Sequence, residues 1–434
     1  MERISKLLFV LLFGIFFIPI TLAILKVDVG WKKLEGSFEL AQEPAFNKEA
    51  WFDGLYQENF NKYANDMLSG RDFLIRSYNQ YRYNLFDVVN AHGTIKGKEN
   101  VLFQDFYIEA LKGLDIVDTS KVNKDVSEFK SLQVALKKLH KSLVLVIAPG
   151  KASFYPEYLP DSIKIDADCP TNYSLYTKAL TSNNVHFIDL KQFLISKKSE
   201  TKFPLFPRSG THWSGYAVTL VMDTLSKYIE SESGFDLIDF KSEKGIVTDR
   251  DMRFTDDDIG KALNLLVPIK NWPMYYPNVV FEKNASKKKP GILTIGDSFN
   301  QSFWGFYPYF SELFNEKSRY WYYNKVIGWP DSIQSKYIDV HNLDLYDEIK
   351  QRDIIMIVTT EQNLKTFGFE FVHEALPVMD EDYRQFQKKR DEVILRIKSD
   401  PNWLTAVEAK AKEKGLPLEV MIMRDAEWVI ANEK

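Results

Sequence analysis

Five short runs of nearly unbroken apolar residues constrain this chain most: residues 142–148 (SLVLVIA), 185–190, 291–295 (GILTI), 322–327 and 354–358 (IIMIV). A strand with one face in water alternates polar and apolar side chains, whereas a strand covered on both faces does not. Runs this short and this apolar predict strands of a parallel sheet, and parallel strands need helical crossovers between them. Helical patterns at 126–140, 215–229, 256–266 and 300–314 supply those crossovers. The expected fold is α/β, a parallel sheet flanked by helices.

Upstream of these runs, Leu7 to Leu25 is a stretch of 19 residues without a charge, about 28 Å of helix and close to the hydrocarbon thickness of a bilayer. Arg3 and Lys6 precede it, so the positive-inside rule keeps that flank in the cytoplasm and sends the rest of the chain out. Thr21-Leu22-Ala23 runs straight into Ile24 and Leu25. With no small-residue cleavage site there, an uncleaved anchor is favoured over a removed signal peptide. Residues 1–30 are therefore expected to form a cytoplasmic stub and a signal-anchor helix. Residues 31–371 are expected to form one domain, with helical spacing of apolar residues over 60–86. Residues 372–434 read as a helical extension with helices at 380–398 and 402–414, the second closed by Gly415 with Pro417 just beyond.

Basic and acidic side chains nearly balance, 56 against 60, with no Lys/Arg tract. Binding to nucleic acid rests on neutralising phosphates, so that partner is not expected. Cys169 is the only cysteine, which excludes an internal disulfide, a thiolate zinc cage and an iron–sulfur cluster. The six histidines lack HxH or HExxH spacing, and no Gly-rich phosphate loop is present; neither a metal nor a cofactor is expected.

The sharpest chemical feature is the run 291–299, an apolar strand ending in Gly296-Asp297-Ser298 and entering a helical pattern. A serine there sits at the carboxyl edge of a parallel sheet and the start of a helix, where open α/β folds place ligands. Ser298 is a candidate nucleophile, against the competing role of a helix N-cap. A serine hydroxyl needs a base. His212 stands in a turn-rich loop, Phe206-Pro207-Arg208-Ser209-Gly210-Thr211-His212-Trp213-Ser214, ahead of the helical pattern from Gly215, and loops at sheet edges commonly carry catalytic groups. Glu361 ends the last expected strand and could face the same edge. The run Thr255-Asp256-Asp257-Asp258 resembles a metal-binding cluster, but a Thr255 N-cap with acids in the first helical turn explains it more simply. The aromatic run 303–309 suits a core better than a sugar platform.

These residues are similar to the SGNH-hydrolase-like proteins of the alginate O-acetyltransferase family. The resemblance covers roughly residues 60–363. It rests on Gly70-Arg71-Asp72-Phe73-Leu74-Ile75-Arg76, on Pro149-Gly150-Lys151 with Tyr155-Pro156-Glu157-Tyr158-Leu159-Pro160, on Thr211-His212-Trp213-Ser214 and on Gly296-Asp297-Ser298-Phe299. It implies an SGNH-like domain in which His212 activates Ser298, and Ser298 carries an acetyl group to hydroxyls of an exported or cell-surface polysaccharide. It implies a multipass membrane-bound O-acyltransferase as acetyl supplier, and a catalytic domain on the periplasmic or extracytoplasmic side. The Ser298 N–H and Asn324 are the expected oxyanion donors, with Thr211 and Trp213 beside the substrate. The family's triad acid stands two residues before the histidine, where this chain has Gly210. Either another acid substitutes, with Glu361 and Asp297 the candidates, or a Ser–His dyad operates, or the site is degraded. The same pair would serve an acetylesterase with water as acceptor, and Gly210 also leaves open a non-catalytic polysaccharide-binding subunit.

Overall fold

A computed structural model describes residues 2–25, 27, 30, 32–36, 39–284, 286–330 and 338–432. In chain order the strands are β1 Thr94–Lys96, β2 Leu102–Gln104, β3 Ser142–Ala148, β4 Ile188–Asp189, β5 Phe240–Thr248, β6 Met274–Phe281, β7 Ile292–Gly296, β8 Arg319–Tyr322, β9 Val326–Trp329 and β10 Ile354–Thr360. Six of them form the central sheet in the order β4–β3–β10–β7–β8–β9. Neighbours run parallel except at the edge, where β9 turns back antiparallel to β8.

Side chains alternate across the sheet, and each side meets its own layer. On one side Val144, Val146, Met356 and Val358 pack with the helix Gly215–Ser233. On the other Leu143, Leu145, Ile147, Ile355 and Ile357 pack with the helices Thr119–Lys138 and Phe371–Val378. Both sets are fully buried, which is why these runs read as continuously apolar; each such side chain contributes roughly 1.5–3 kcal/mol on burial.

The run 322–327 is not one strand. Tyr323 and Asn324 take left-handed backbone angles, φ 51° and 55°, and form the turn of the β8–β9 hairpin. The run 300–314 breaks into a 3-10 turn, Ser298–Gln301, and two short helices, Ser302–Gly305 and Tyr309–Leu313. Pro308 lies at the second break and has no N–H to continue a helix. The pattern over 256–266 shortens to the helix Asp258–Ala262, and 185–190 supplies only β4. The β1–β2 and β5–β6 hairpins are additional to the expected strands.

Residues 4–24 form an apolar helical stretch of 21 residues, none of the described ones buried, long enough to cross a membrane. Lys26, Asp28, Val29 and Trp31, at the expected boundary between anchor and domain, lie outside the described residues. The helices Leu55–Asp66 and Arg71–Phe86 follow. From the second, buried Arg76 and Asn79 donate hydrogen bonds to the carbonyls of Leu265 (3.1 Å) and Leu263 (2.9 Å), just past the helix Asp258–Ala262. At the far end, the helices Glu381–Ser399, Pro401–Lys414 and Leu418–Asn432 share a small core of Val393, Ile397, Val407, Met421 and Ile422. The third of these extends the two helices expected there; it starts directly after Pro417. Glu433 and Lys434 lie outside the described residues.

Candidate active site

Strand β7 delivers Asp297 and Ser298 to the carboxyl edge of the sheet. Asp297 is buried and accepts four hydrogen bonds: from the Phe299 N–H (3.0 Å), the Thr360 N–H (3.0 Å), the Thr360 hydroxyl (2.7 Å) and the Asn363 amide (2.7 Å). Burial raises its carboxyl above the usual range, and these donors oppose that rise. Asp297 thus pins the serine turn to the end of β10. Ser298 opens the 3-10 turn, so its own N–H has no partner within the turn, and its side chain stays half-buried beside fully buried neighbours.

His212 arrives from the loop before the helix Gly215–Ser233, whose N-cap is Ser214, accepting from the Ala217 N–H at 3.1 Å. The imidazole is buried, with its centroid 4.9 Å from that of the Phe299 ring. Its Nε2 lies 2.8 Å from Ser298 Oγ, and its Nδ1 lies 2.7 Å from Asp258 Oδ2. A carboxylate only accepts, so Nδ1–H donates to Asp258 and Nε2 is left to accept from the Ser298 hydroxyl. The other oxygen of Asp258 accepts the N–H groups of Thr211 and Ile259, both at 2.8 Å. Ser298, His212 and Asp258 therefore form an unbroken hydrogen-bonded chain, the arrangement in which a serine is deprotonated and the resulting imidazolium is stabilised.

Asp258 corrects the sequence reading. Its run looked like helix capping, yet among the described residues the Thr255 hydroxyl has no hydrogen-bond partner and Asp257, the residue before the short helix, makes no side-chain cap. The reason an acid reaches His212 from here is visible at Gly210. A Cβ on that residue would lie 2.5 Å from the Thr255 carbonyl oxygen and 3.0 Å from the Asp256 carbonyl carbon. The segment 255–258 occupies the space beside Gly210, and the carboxylate enters with it. Gly210→Ala is accordingly expected to cost about 1–3 kcal/mol. Thermal unfolding checks this, and an unchanged midpoint would show that the close approach is not needed.

Two buried groups brace this region. Lys151 donates to the carbonyls of Arg208 (2.9 Å) and Gly210 (2.8 Å); burial brings its ammonium down to about 7, against the opposing pull of Asp258 and Asp256. Asp256 accepts the Tyr276 hydroxyl at 2.7 Å, and burial pushes its carboxyl up to about 8.

Other expected residues lie elsewhere. Glu361 accepts from the Gly150 N–H (2.9 Å), from the Ser153 hydroxyl and from Lys191 (2.9 Å), which ties β10 to the end of β3 rather than to His212. Asp297 is used up by the four bonds above. The Asn324 amide, in the β8–β9 turn, donates to Glu374 at 3.0 Å. Trp213 is fully buried against Phe299 and Phe303, not open to substrate. The Thr211 hydroxyl donates to Gln104 (2.8 Å), leaving its backbone N–H to hold Asp258. Among the described residues no cluster of three or more His, Cys, Asp or Glu side chains could hold a metal ion.

A family model described as an SGNH hydrolase-like domain, acetyltransferase AlgX, matches residues 95–317, just over half of the chain and inclusive of His212, Asp258 and Ser298. Among solved structures, the O-acetyltransferase domain of Pseudomonas putida AlgJ is similar at 18% identity, covering 65% of this chain and 98% of that one, with a TM-score of 0.43. Pseudomonas aeruginosa AlgX is similar at 13% identity, over 68% of this chain and 70% of that one, with a TM-score of 0.43. Bacillus cereus PatB1 is similar at 13% identity, over 64% and 99%, with a TM-score of 0.38. No curated protein sequence matches the chain.

Proposed function

The chain belongs to the family of SGNH hydrolase-like acetyltransferase domains, and from that premise we propose that it moves an acetyl group through Ser298 to hydroxyls of an exported or cell-surface polysaccharide. The observation that carries this reading is the chain of hydrogen bonds from Asp258 through His212 to the hydroxyl of the half-buried Ser298. In the first half-reaction Ser298 Oγ attacks the acetyl carbonyl of the donor while His212 Nε2 takes its proton. The Ser298 N–H, free at the start of its turn, donates to the developing oxyanion. His212 then returns the proton to the leaving group and the acetyl-serine remains. In the second half-reaction a sugar hydroxyl loses its proton to Nε2 and attacks the acetyl carbonyl, and Ser298 leaves with that proton. Asp258 stabilises the imidazolium in both halves.

The apolar helix over residues 4–24 supports a membrane-tethered location, with the domain on the extracytoplasmic side and acetyl supplied there by a multipass membrane-bound acyltransferase. Transfer is separated from hydrolysis by incubating the purified protein with an acetylated chromogenic ester and oligosaccharide acceptors. Acetylated sugar detected by mass spectrometry is the expected result. Ester cleavage without any acetylated sugar would replace the transferase by an acetylesterase.

A further inference from the structure

The helix Arg71–Phe86 is amphipathic in the reverse sense for a surface helix. Its buried residues are Arg76 and Asn79, both hydrogen-bonded to the domain. Its outward stripe is apolar: Leu74, Tyr78, Tyr81 and Leu85, spaced to fall on one side of a helix, are 47%, 55%, 52% and 67% exposed. A helix on a soluble domain turns such a stripe inward. The adjoining helix Leu55–Asp66 buries no residue at all. Phe46, Trp51 and Phe60 add a second exposed aromatic patch, knitted together with Tyr56 by ring contacts of 5.5–6.0 Å, and Phe52 beside them is exposed as well. Contiguous apolar surface of this kind marks contact with an apolar medium or partner.

The position of the stripe says which. The Ser69 hydroxyl, two residues before the helix Arg71–Phe86, donates to the Val27 carbonyl at 2.8 Å. Val27 in turn donates its N–H to the Leu22 carbonyl at 2.9 Å, in the last turn of the apolar helix Glu2–Ile24. The stripe therefore begins where the apolar helix ends. We propose that the outward stripe of Arg71–Phe86, with the neighbouring aromatic patch, lies in the head-group region of the bilayer, so that the protein holds the membrane by a spanning element and an interfacial one. The inference rests on residues 4–24 crossing the membrane.

The chemistry suits that boundary. Tyrosine and tryptophan rings, apolar with one polar edge, concentrate at membrane–water interfaces, and the patch offers Trp51, Tyr78 and Tyr81. Residues 48–86 carry five basic and five acidic side chains, so attachment depends on apolar contact and not on anionic lipid. Arg76 and Asn79 face the other way and hold the carbonyls of Leu265 and Leu263, past the short helix that Asp258 opens.

The test uses the full chain in a Cys169→Ser background, reconstituted in phosphatidylcholine vesicles, with nitroxide labels placed singly through Phe60→Cys, Leu74→Cys and Tyr81→Cys. Val134→Cys, 53% exposed on a helix of the domain, is the aqueous reference. The expected result is a loss of relaxation by a water-soluble nickel chelate relative to position 134, with relaxation by oxygen retained. Nickel accessibility equal to that at 134 would overturn the proposal. So would shielding from both reagents with spin–spin broadening, which would assign the stripe to a second copy of the chain. A label at Phe13→Cys separates the premise: lipid exposure at 13 with water at 74 and 81 defeats only the interfacial contact. Water at 13 defeats the spanning helix beneath it.

Discussion

Ser298→Ala lowers acetyl release from an activated ester by about 10⁴- to 10⁶-fold, leaving the residual rate that substrate binding and the oxyanion donor supply without a nucleophile. The effect is large because the hydroxyl is the group that becomes acylated, and no neighbouring side chain replaces it. Stability is expected to change little. The serine turn is held by Asp297, and among the described residues the hydroxyl's partner is His212. Steady-state kinetics alongside a thermal melt separate the two quantities. A variant that keeps its fold and retains activity within tenfold of the parent would remove Ser298 from the reaction.

The second large effect belongs to Asp258. Asp258→Asn replaces an acceptor at Nδ1 by an amide that can donate to it, which favours the tautomer with the proton on Nε2 and strips the histidine of its ability to accept from Ser298. The expected fall in kcat is about 10⁴-fold with little change in KM, as for the equivalent loss in Ser-His-Asp enzymes. Glu361→Gln is the informative comparison. That side chain joins Gly150, Ser153 and Lys191, so its loss is expected to lower the melting temperature while kcat stays within about tenfold. The reverse pattern, activity lost with Glu361→Gln and kept with Asp258→Asn, would show that the hydrogen bond at Nδ1 is not the one used in turnover.

The strands at the centre were readable from the chain alone because both their faces are covered, so β3, β7 and β10 show as unbroken apolar runs. Edge elements carry no such mark. The run 322–327 looked continuous, yet two left-handed residues, Tyr323 and Asn324, fold it into a hairpin. Ser298 and His212 were legible as a pair because each sits at an element boundary with a recognisable neighbourhood. Asp258 was not. It lies 46 positions from His212, no fixed spacing links them, and a run of acids beside a threonine has a commonplace explanation in helix capping. The signal that could have found it was negative: a glycine where a carboxylate was anticipated, which the structure explains by another stretch of backbone filling that place. The N-terminal helices were legible as helices, but the spacing of their apolar residues did not reveal that Arg76 and Asn79 would be the ones turned inward.

That last feature bears on how a soluble version of this protein should be cut. Shaving off everything ahead of β1 would remove the greasy stem, and with it the two side chains that clamp the carbonyls of Leu263 and Leu265. Asp258, the partner of His212, sits at the opposite end of the short helix that leads into those carbonyls. A truncation retaining the stem from residue 71 onward keeps that clamp at the expense of stickiness, whereas the tidier fragment gives up the support behind the carboxylate that holds His212.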